Sequence, residues 1–116
     1  MNEYKTNLSA SSTRALRTWR RRLAARLGDV EQVLTGSLVE QMRRCGKPDC
    51  HCADGDPHGP YVYLSPRPQG RGRLRYLPGE LIATVRGRLR RGEQVQAALA
   101  EVAAINLELL ARRELN

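Results

Sequence analysis

Cys45, Cys50, Cys52 and His58 follow one another with the spacing Cys-x4-Cys-x-Cys-x5-His. Thiolates and imidazole are the natural ligands of zinc, and three of the first with one of the second form one of its commonest structural sets. The ligand atoms must converge on a point roughly two ångströms from each, so the chain that carries them must curl tightly. Gly46, Pro48, Gly55, Pro57 and Gly59 lie among them and favour such curling. Arg43, Arg44 and Lys47 stand alongside and can stabilise thiolates. A filled Cys3His set leaves no open coordination position, so the expected role of Zn2+ is structural. His58 is the favoured fourth ligand. His51 lies between Cys50 and Cys52, and three consecutive side chains meet at one ion only with strain. Asp54, Asp56 or a residue of a partner chain are the other candidates.

Other chemistry fits these residues less well. An iron–sulfur cluster usually takes four cysteines. A catalytic Cys/His pair would need oxyanion donors and an orienting third group, and none is recognisable nearby. Three reduced, unligated cysteines are the plain alternative, but a polar Gly/Pro loop is a poor place for cysteines whose only role is packing. Paired carboxylates are absent apart from Asp54 and Asp56, which suit turns. No enzyme is expected.

The second chemical feature is charge. The chain has 116 residues and a formal net charge of +8, carried almost entirely by arginine. Arginine presents a planar, permanently charged fork that fits phosphate. The stretch from Gln94 to Asn116 is nearly neutral, so the positive field belongs to the rest of the chain. Two surfaces could use it. The first helix offers Arg14, Arg17, Arg20, Arg21 and Arg22. The cysteine loop and the strands beside it offer Arg43, Arg44, Lys47, Arg67, Arg71, Arg73 and Arg75, near Tyr61, Tyr63 and Tyr76. Basic residues interleaved with aromatics can hold a backbone and stack on bases, and a two-stranded ribbon can enter the major groove. The bland reading is a solvated arginine face and tyrosines that belong to the core, since the chain has few other large side chains. That core role is the expected one for the tyrosines. No helix-turn-helix or finger pattern is present.

These residues need elements to hold them. Residues 1–12 are polar and read as a disordered lead-in, with Ser12 or Thr13 as N-cap. Leu16, Trp19, Leu23, Leu27, Val30 and Leu34 recur at intervals of three and four, which predicts a basic helix over 13–35; Gly28 is a weak point within it and Gly36 a natural stop. Ser37–Arg44 has no clean helical face and reads as a short strand. Tyr61–Ser65 is rich in strand formers. Residues 73–77 alternate, with Leu74 and Tyr76 on one face, so the two runs predict an antiparallel hairpin. Residues 36–78 thus form a zinc loop and hairpin module. Pro78 and Glu80 suit a helix start, and a C-terminal helix is predicted over 79–116, with a hinge at Gly92. Val95, Leu99, Val102, Ile105 or Asn106, and Leu109 share a face that could pair helices into a coiled-coil homodimer.

The stretch GSLVEQMRRCGKPDCHCADGDPHGPYVYLS, followed by a basic turn, RYLP and a C-terminal helix, resembles a group of short bacterial proteins of unknown function. Their hallmark is similar to Cys-Gly-Lys-Pro-x-Cys-x-Cys, then His-Gly-Pro-Tyr and a Tyr-rich strand. The resemblance covers roughly residues 36–115. It implies an association with transposases and other mobile elements, and no assigned reaction.

The expected fold is α+β: a basic N-terminal helix, a small antiparallel sheet with a zinc-binding loop, and a long C-terminal helix. The expected function is a zinc-stabilised accessory protein that binds nucleic acid, DNA in preference to RNA, in a transposition or recombination setting. A docking module for a transposase or recombinase is the competing class, and an RNA-binding protein the third. No stretch has the length of a membrane span, the N-terminus lacks the apolar core of a secretory signal, and the odd cysteine count speaks against a disulfide framework. The expected location is cytoplasmic, without a membrane partner.

Overall fold

The computed structural model describes residues 8–66 and 73–116. It has the expected α+β architecture: α1 (Thr13–Leu27), β1 (Gly36–Arg43), a 3-10 turn (His51–Ala53), β2 (His58–Pro66), β3 (Arg75–Tyr76) and α2 (Gly79–Ala111). The chain divides into two compact units. One consists of the residues up to Gln32 together with Gly92–Asn116, the other of Val33–Arg91.

In the helical unit, the Ser12 hydroxyl caps α1 by accepting from the amide of Ala15 at 3.0 Å. Leu16 and Leu23 are completely buried against Ile105 and Leu109 of α2, with Leu8, Trp19 and Val102 packed around them. Val102, Ile105 and Leu109 were expected on a seam between helices, and here α1 covers that seam from within the chain. Asn106, expected on the same seam, accepts from Arg20 at 2.8 Å. α1 ends at Leu27, well short of residue 35. Gly28 has φ +45°, a conformation that leaves the helix and suits glycine. The expected stripe is therefore divided: Val30 is exposed, and Leu34 joins the core of the other unit.

Arg112 ties this unit together at its open end. Its guanidinium donates to the carbonyls of Leu8 at 3.0 Å and Ser11 at 2.7 Å, to Thr13 Oγ1 at 3.1 Å, and pairs with Glu108 at 2.9 Å. α2 stops just before it in a Schellman arrangement. The amide of Glu114 donates to the carbonyl of Leu109 at 2.8 Å and that of Arg113 to Leu110 at 2.9 Å.

In the other unit, β1, β2 and β3 form an antiparallel sheet in that order. β1 pairs with β2 from Gly36↔Pro66 through Gln41↔Tyr61, and the register then shifts so that Arg43 faces His58. β2 pairs with β3 at Tyr63↔Tyr76 and Leu64↔Arg75. Because side chains alternate along a strand, Val62 and Leu64 point one way, and Tyr61 and Tyr63 the other. Leu64, Leu77 and Leu89 form the core, joined by Leu34, Leu38, Val62, Ile82 and Val85. The tyrosines are not among them, contrary to expectation. Leu74 and Tyr76 do not turn inward either; both are exposed. The amide of Leu77 donates to Val62 at 2.9 Å, and Leu77 is the residue of this run that enters the core. α2 is unbroken through Gly92, where a hinge was expected.

Candidate metal centre

The cysteine loop connects β1 to β2, and the sheet positions its two ends. β1 delivers Cys45 just past its last residue, and β2 begins at His58. The register shift arises because Gln41↔Tyr61 is followed by Arg43↔His58, which places one extra residue on β2, at Gly59–Pro60. Such a bulge re-aims the neighbouring side chain, and here it sets His58 opposite Arg43. Gly59 has φ +124°, and a Cβ there would lie 2.9 Å from the carbonyl oxygen of Gln41. Only glycine fits this crossing. The Gly59–Pro60 peptide bond is cis.

Between these ends the loop turns twice. The amide of Cys50 donates to the carbonyl of Lys47 at 3.1 Å, and the amide of Ala53 to Cys50 at 3.0 Å. Arg44 clamps the far side. Its guanidinium donates to the carbonyl of Gly55 at 2.8 Å and also to that of Cys52. The effect is to bring Cys45, Cys50, Cys52 and His58 together, with one ligand atom from each, all within 4.8 Å of one another. Cys45 Sγ lies 3.5 Å from Cys52 Sγ, and Cys50 Sγ 3.2 Å from His58 Nε2. Cys52 is fully buried. The four residues are compatible with a metal site.

His51 is exposed and sits beside the cluster, with Nδ1 3.8 Å from Cys50 Sγ and its ring edge-on to His58 at 5.0 Å. Asp54 and Asp56 are exposed on the loop. None of the three belongs to the group of four.

The electrostatics separate the thiols. Cys45 is lowered to about 6, first by the backbone amide of Lys47, then by His58, Cys50 and Cys52. The help therefore comes from the Lys47 backbone and the neighbouring ligands, where the basic side chains were expected to supply it. Cys50 is raised: the amide of Cys52 draws it down, but the neighbouring Cys45, burial and Cys52 together outweigh that amide. Without a metal, the cluster at neutral pH thus holds a thiolate at Cys45 beside a thiol at Cys50.

The arginines expected at a nucleic-acid surface are distributed over both units. Arg14, Arg21 and Arg22 are exposed on α1. Arg17 and Arg20 on the same helix have partners at the end of the chain: Arg17 donates to the carbonyl of Glu114 at 2.7 Å and to Asn116 Oδ1 at 3.0 Å, and Arg20 to the carbonyl of Asn116 at 2.8 Å. In the sheet unit Arg43, Lys47, Arg73 and Arg75 are exposed, and Arg44 is held by the loop. Arg67 and Arg71 lie outside the described residues. The open face of the sheet adds a feature that composition alone did not reveal. An open groove of about 570 Å³ is lined by Tyr61, Tyr63, Tyr76, Arg43, Arg44, Cys45 and His58.

Fold and loop together define a small α+β protein with a Cys3His cluster, compatible with a metal site, built into the connection between two strands. The chain belongs to the family described as Domain of unknown function (DUF6788), whose model matches residues 13–87. The match begins with α1 and ends inside α2, whereas the resemblance seen in the sequence spans roughly 36–115. No curated protein and no solved structure matches the chain. Among the described residues, no helix is long and apolar enough to cross a membrane.

Proposed function

We propose that this chain is a zinc-stabilised nucleic-acid-binding module without a catalytic role of its own. Zinc is favoured by the donor set and by its spacing. A tetrahedral ion with zinc–sulfur bonds near 2.3 Å and a zinc–nitrogen bond near 2.0 Å has ligand–ligand edges of roughly 3.5–3.8 Å. The pairs at 3.5 and 3.2 Å are already close to that, and the widest separation of 4.8 Å must close by roughly 1 Å. Four protein ligands fill the tetrahedron, so the ion would hold the loop and leave no position for a substrate.

One observation carries the nucleic-acid reading: the charge follows the metal loop. Residues 33–91 contain eleven basic and five acidic residues, and so carry +6 of the chain's +8. Docking alone does not need such a field, whereas phosphate binding does. The resemblance to proteins associated with mobile elements favours DNA over RNA. The test is a fluorescence-anisotropy titration of zinc-loaded protein with random duplex DNA at several salt concentrations. With Arg43, Lys47, Arg73 and Arg75 on phosphates, the slope of log K against log salt should be roughly −3.6. Weak binding with no salt dependence would remove the reading.

A second reading, a docking module for a transposase, a recombinase or a second copy of this chain, draws on a different observation. Leu99, Leu107 and Leu110 of α2 are 56%, 66% and 55% exposed. Light scattering tests the homodimer: Leu107→Glu should lower the measured mass, and a wild-type mass of one chain would exclude self-pairing.

A further inference from the structure

The geometry points to a base-stacking site for a single-stranded polynucleotide on the open face of the sheet, centred on Tyr76 and flanked by Arg43. This rests on the nucleic-acid reading above and narrows it to an unpaired strand. The starting point is the alternation of β2 and β3. The pairing Tyr63↔Tyr76 puts both rings on the face opposite the Leu64 core. Tyr61 lies on that face as well, two residues from Tyr63.

The rings are arranged to hold one of their number. The Tyr63 centroid is 5.7 Å from that of Tyr76 with the planes at 69°, and Tyr61 is 6.4 Å away at 64°. These are edge-to-face contacts, which are favourable for aromatic pairs. They brace Tyr76 from the side and leave it 56% exposed. An aromatic ring held rigid and uncovered loses little entropy when a flat ligand stacks on it. The guanidinium carbon of Arg43 lies 5.4 Å from the centroid of Tyr63, so a planar cation is already parked on a ring that braces Tyr76.

The surroundings decide what kind of flat ligand fits. The groove beside Tyr76 is lined by Arg43 and Arg44 and, among the described residues, by no carboxylate, and its volume of about 570 Å³ lies in the range of small-molecule sites. A base on Tyr76 would place its phosphates among arginines. A partner with acidic side chains alone would leave the ring uncovered. Within a duplex both faces of a base are occupied by its stacked neighbours, so Tyr76 can stack only on a base with a free face. Single-strand binders combine these two parts, aromatic platforms and a basic groove. Cys45 and His58 also line the groove, so the metal loop supplies part of its wall.

The test compares a fluorescent homothymidine oligomer with an abasic oligomer of equal length, which keeps the phosphates and lacks the bases. Wild-type, zinc-loaded protein should bind the thymidine oligomer roughly 5- to 100-fold more tightly than the abasic one. Tyr76→Ala should abolish that preference with zinc content unchanged, and Tyr76→Phe, which keeps the ring, should retain it. Equal wild-type affinity for the two oligomers, with steep salt dependence, would overturn the stacking site and leave phosphate binding intact. A Tyr76→Ala protein that still discriminates would also overturn it. Failure to bind either oligomer or duplex DNA would remove the nucleic-acid reading itself. The wild-type comparison stands even if Tyr76→Ala does not fold.

Discussion

Removing the metal should melt the sheet and spare the helical unit. The perturbation is chelation, or Cys52→Ser, which takes away the one ligand that is fully buried. A metal joining Cys45 to His58 closes a loop of about 14 residues, and in the chain-entropy treatment of cross-links that closure is worth roughly 3 kcal/mol. Cys50 and Cys52 subdivide the loop, so this is a lower bound. Against it stand Leu64, Leu77 and Leu89, the leucines buried in this unit among the described residues, at roughly 1.5–3 kcal/mol each before the entropy of ordering the chain is subtracted. Leu34, Leu38, Val62, Ile82 and Val85 add only partial burial, and the net stability of so small a core cannot absorb a loss of that size. The helical unit is in a different position, because Leu16, Leu23, Ile105 and Leu109 share no residue with the sheet core. Hydrogen exchange read by mass spectrometry separates the two. Peptides from β1 and β2 should lose at least roughly 100-fold in protection on metal loss, the equivalent of about 3 kcal/mol. Peptides from α1 and from residues 95–111 should keep theirs. A sheet that stays protected after verified loss of the ion would refute the reasoning, and so would helices that lose protection by the same factor.

Arg44→Ala leaves the carbonyls of Cys52 and Gly55 without their donor and should weaken metal affinity roughly 10- to 100-fold in competition with a chelator; unchanged affinity would show that the clamp does not shape the site. In the metal-free protein, Cys45 should be alkylated first, with a midpoint at about pH 6. Its depressed pKa keeps the thiolate at higher pH, and whatever stability that thiolate confers is lost as pH falls through about 6. Mass-resolved labelling that finds Cys50 reacting first at neutral pH would contradict this order. Arg112→Ala takes the guanidinium away from Leu8, Ser9, Ser11, Thr13 and Glu108 and should lower the stability of the helical unit by roughly 2–3 kcal/mol, seen as an earlier thermal transition by circular dichroism; an unchanged transition would mean solvent replaces those bonds.

The parts of this protein that obey short-range rules were legible in its sequence. Ser12 caps α1, β1 begins at Gly36 within one residue of the expected strand, and the Cys45–His58 spacing marks the loop, because cap, alternation and ligand spacing are local. The grouping of His58, in place of His51, with the three cysteines follows from the same local rule: adjacent side chains crowd one point. What was not legible depends on pairing. The sequence offers the tyrosines as core, and the register Tyr63↔Tyr76 puts them on the open face. Leu34 continues the α1 stripe on paper, but Gly28 ends the helix and the leucine serves another core. Arg17 and Arg20 looked like phosphate ligands, and nothing local announces that Glu114, Asn106 and Asn116 return to meet them.

The outward tyrosines and the cysteine cluster belong to one physical problem. A three-stranded sheet covered on one side by a helix has two faces and apolar material for one. Leu64, Leu77 and Leu89 take the covered side, and in a unit this small the largest aromatic side chains would ordinarily join them. A cross-link at the β1–β2 connection lessens that demand, since it stabilises the strands without drawing on side-chain volume. On the proposed reading, the metal is what allows Tyr61, Tyr63 and Tyr76 to stay on the open face, where a packed core would have withdrawn them. The loop then has two effects through one set of residues: it holds the strands together, and it supplies Arg43, Arg44 and the ligands Cys45 and His58 to the groove beside the rings. Stability and binding should therefore fail together when a metal ligand is replaced. They should separate when Tyr76 is replaced, since its exposed ring contributes little to the core.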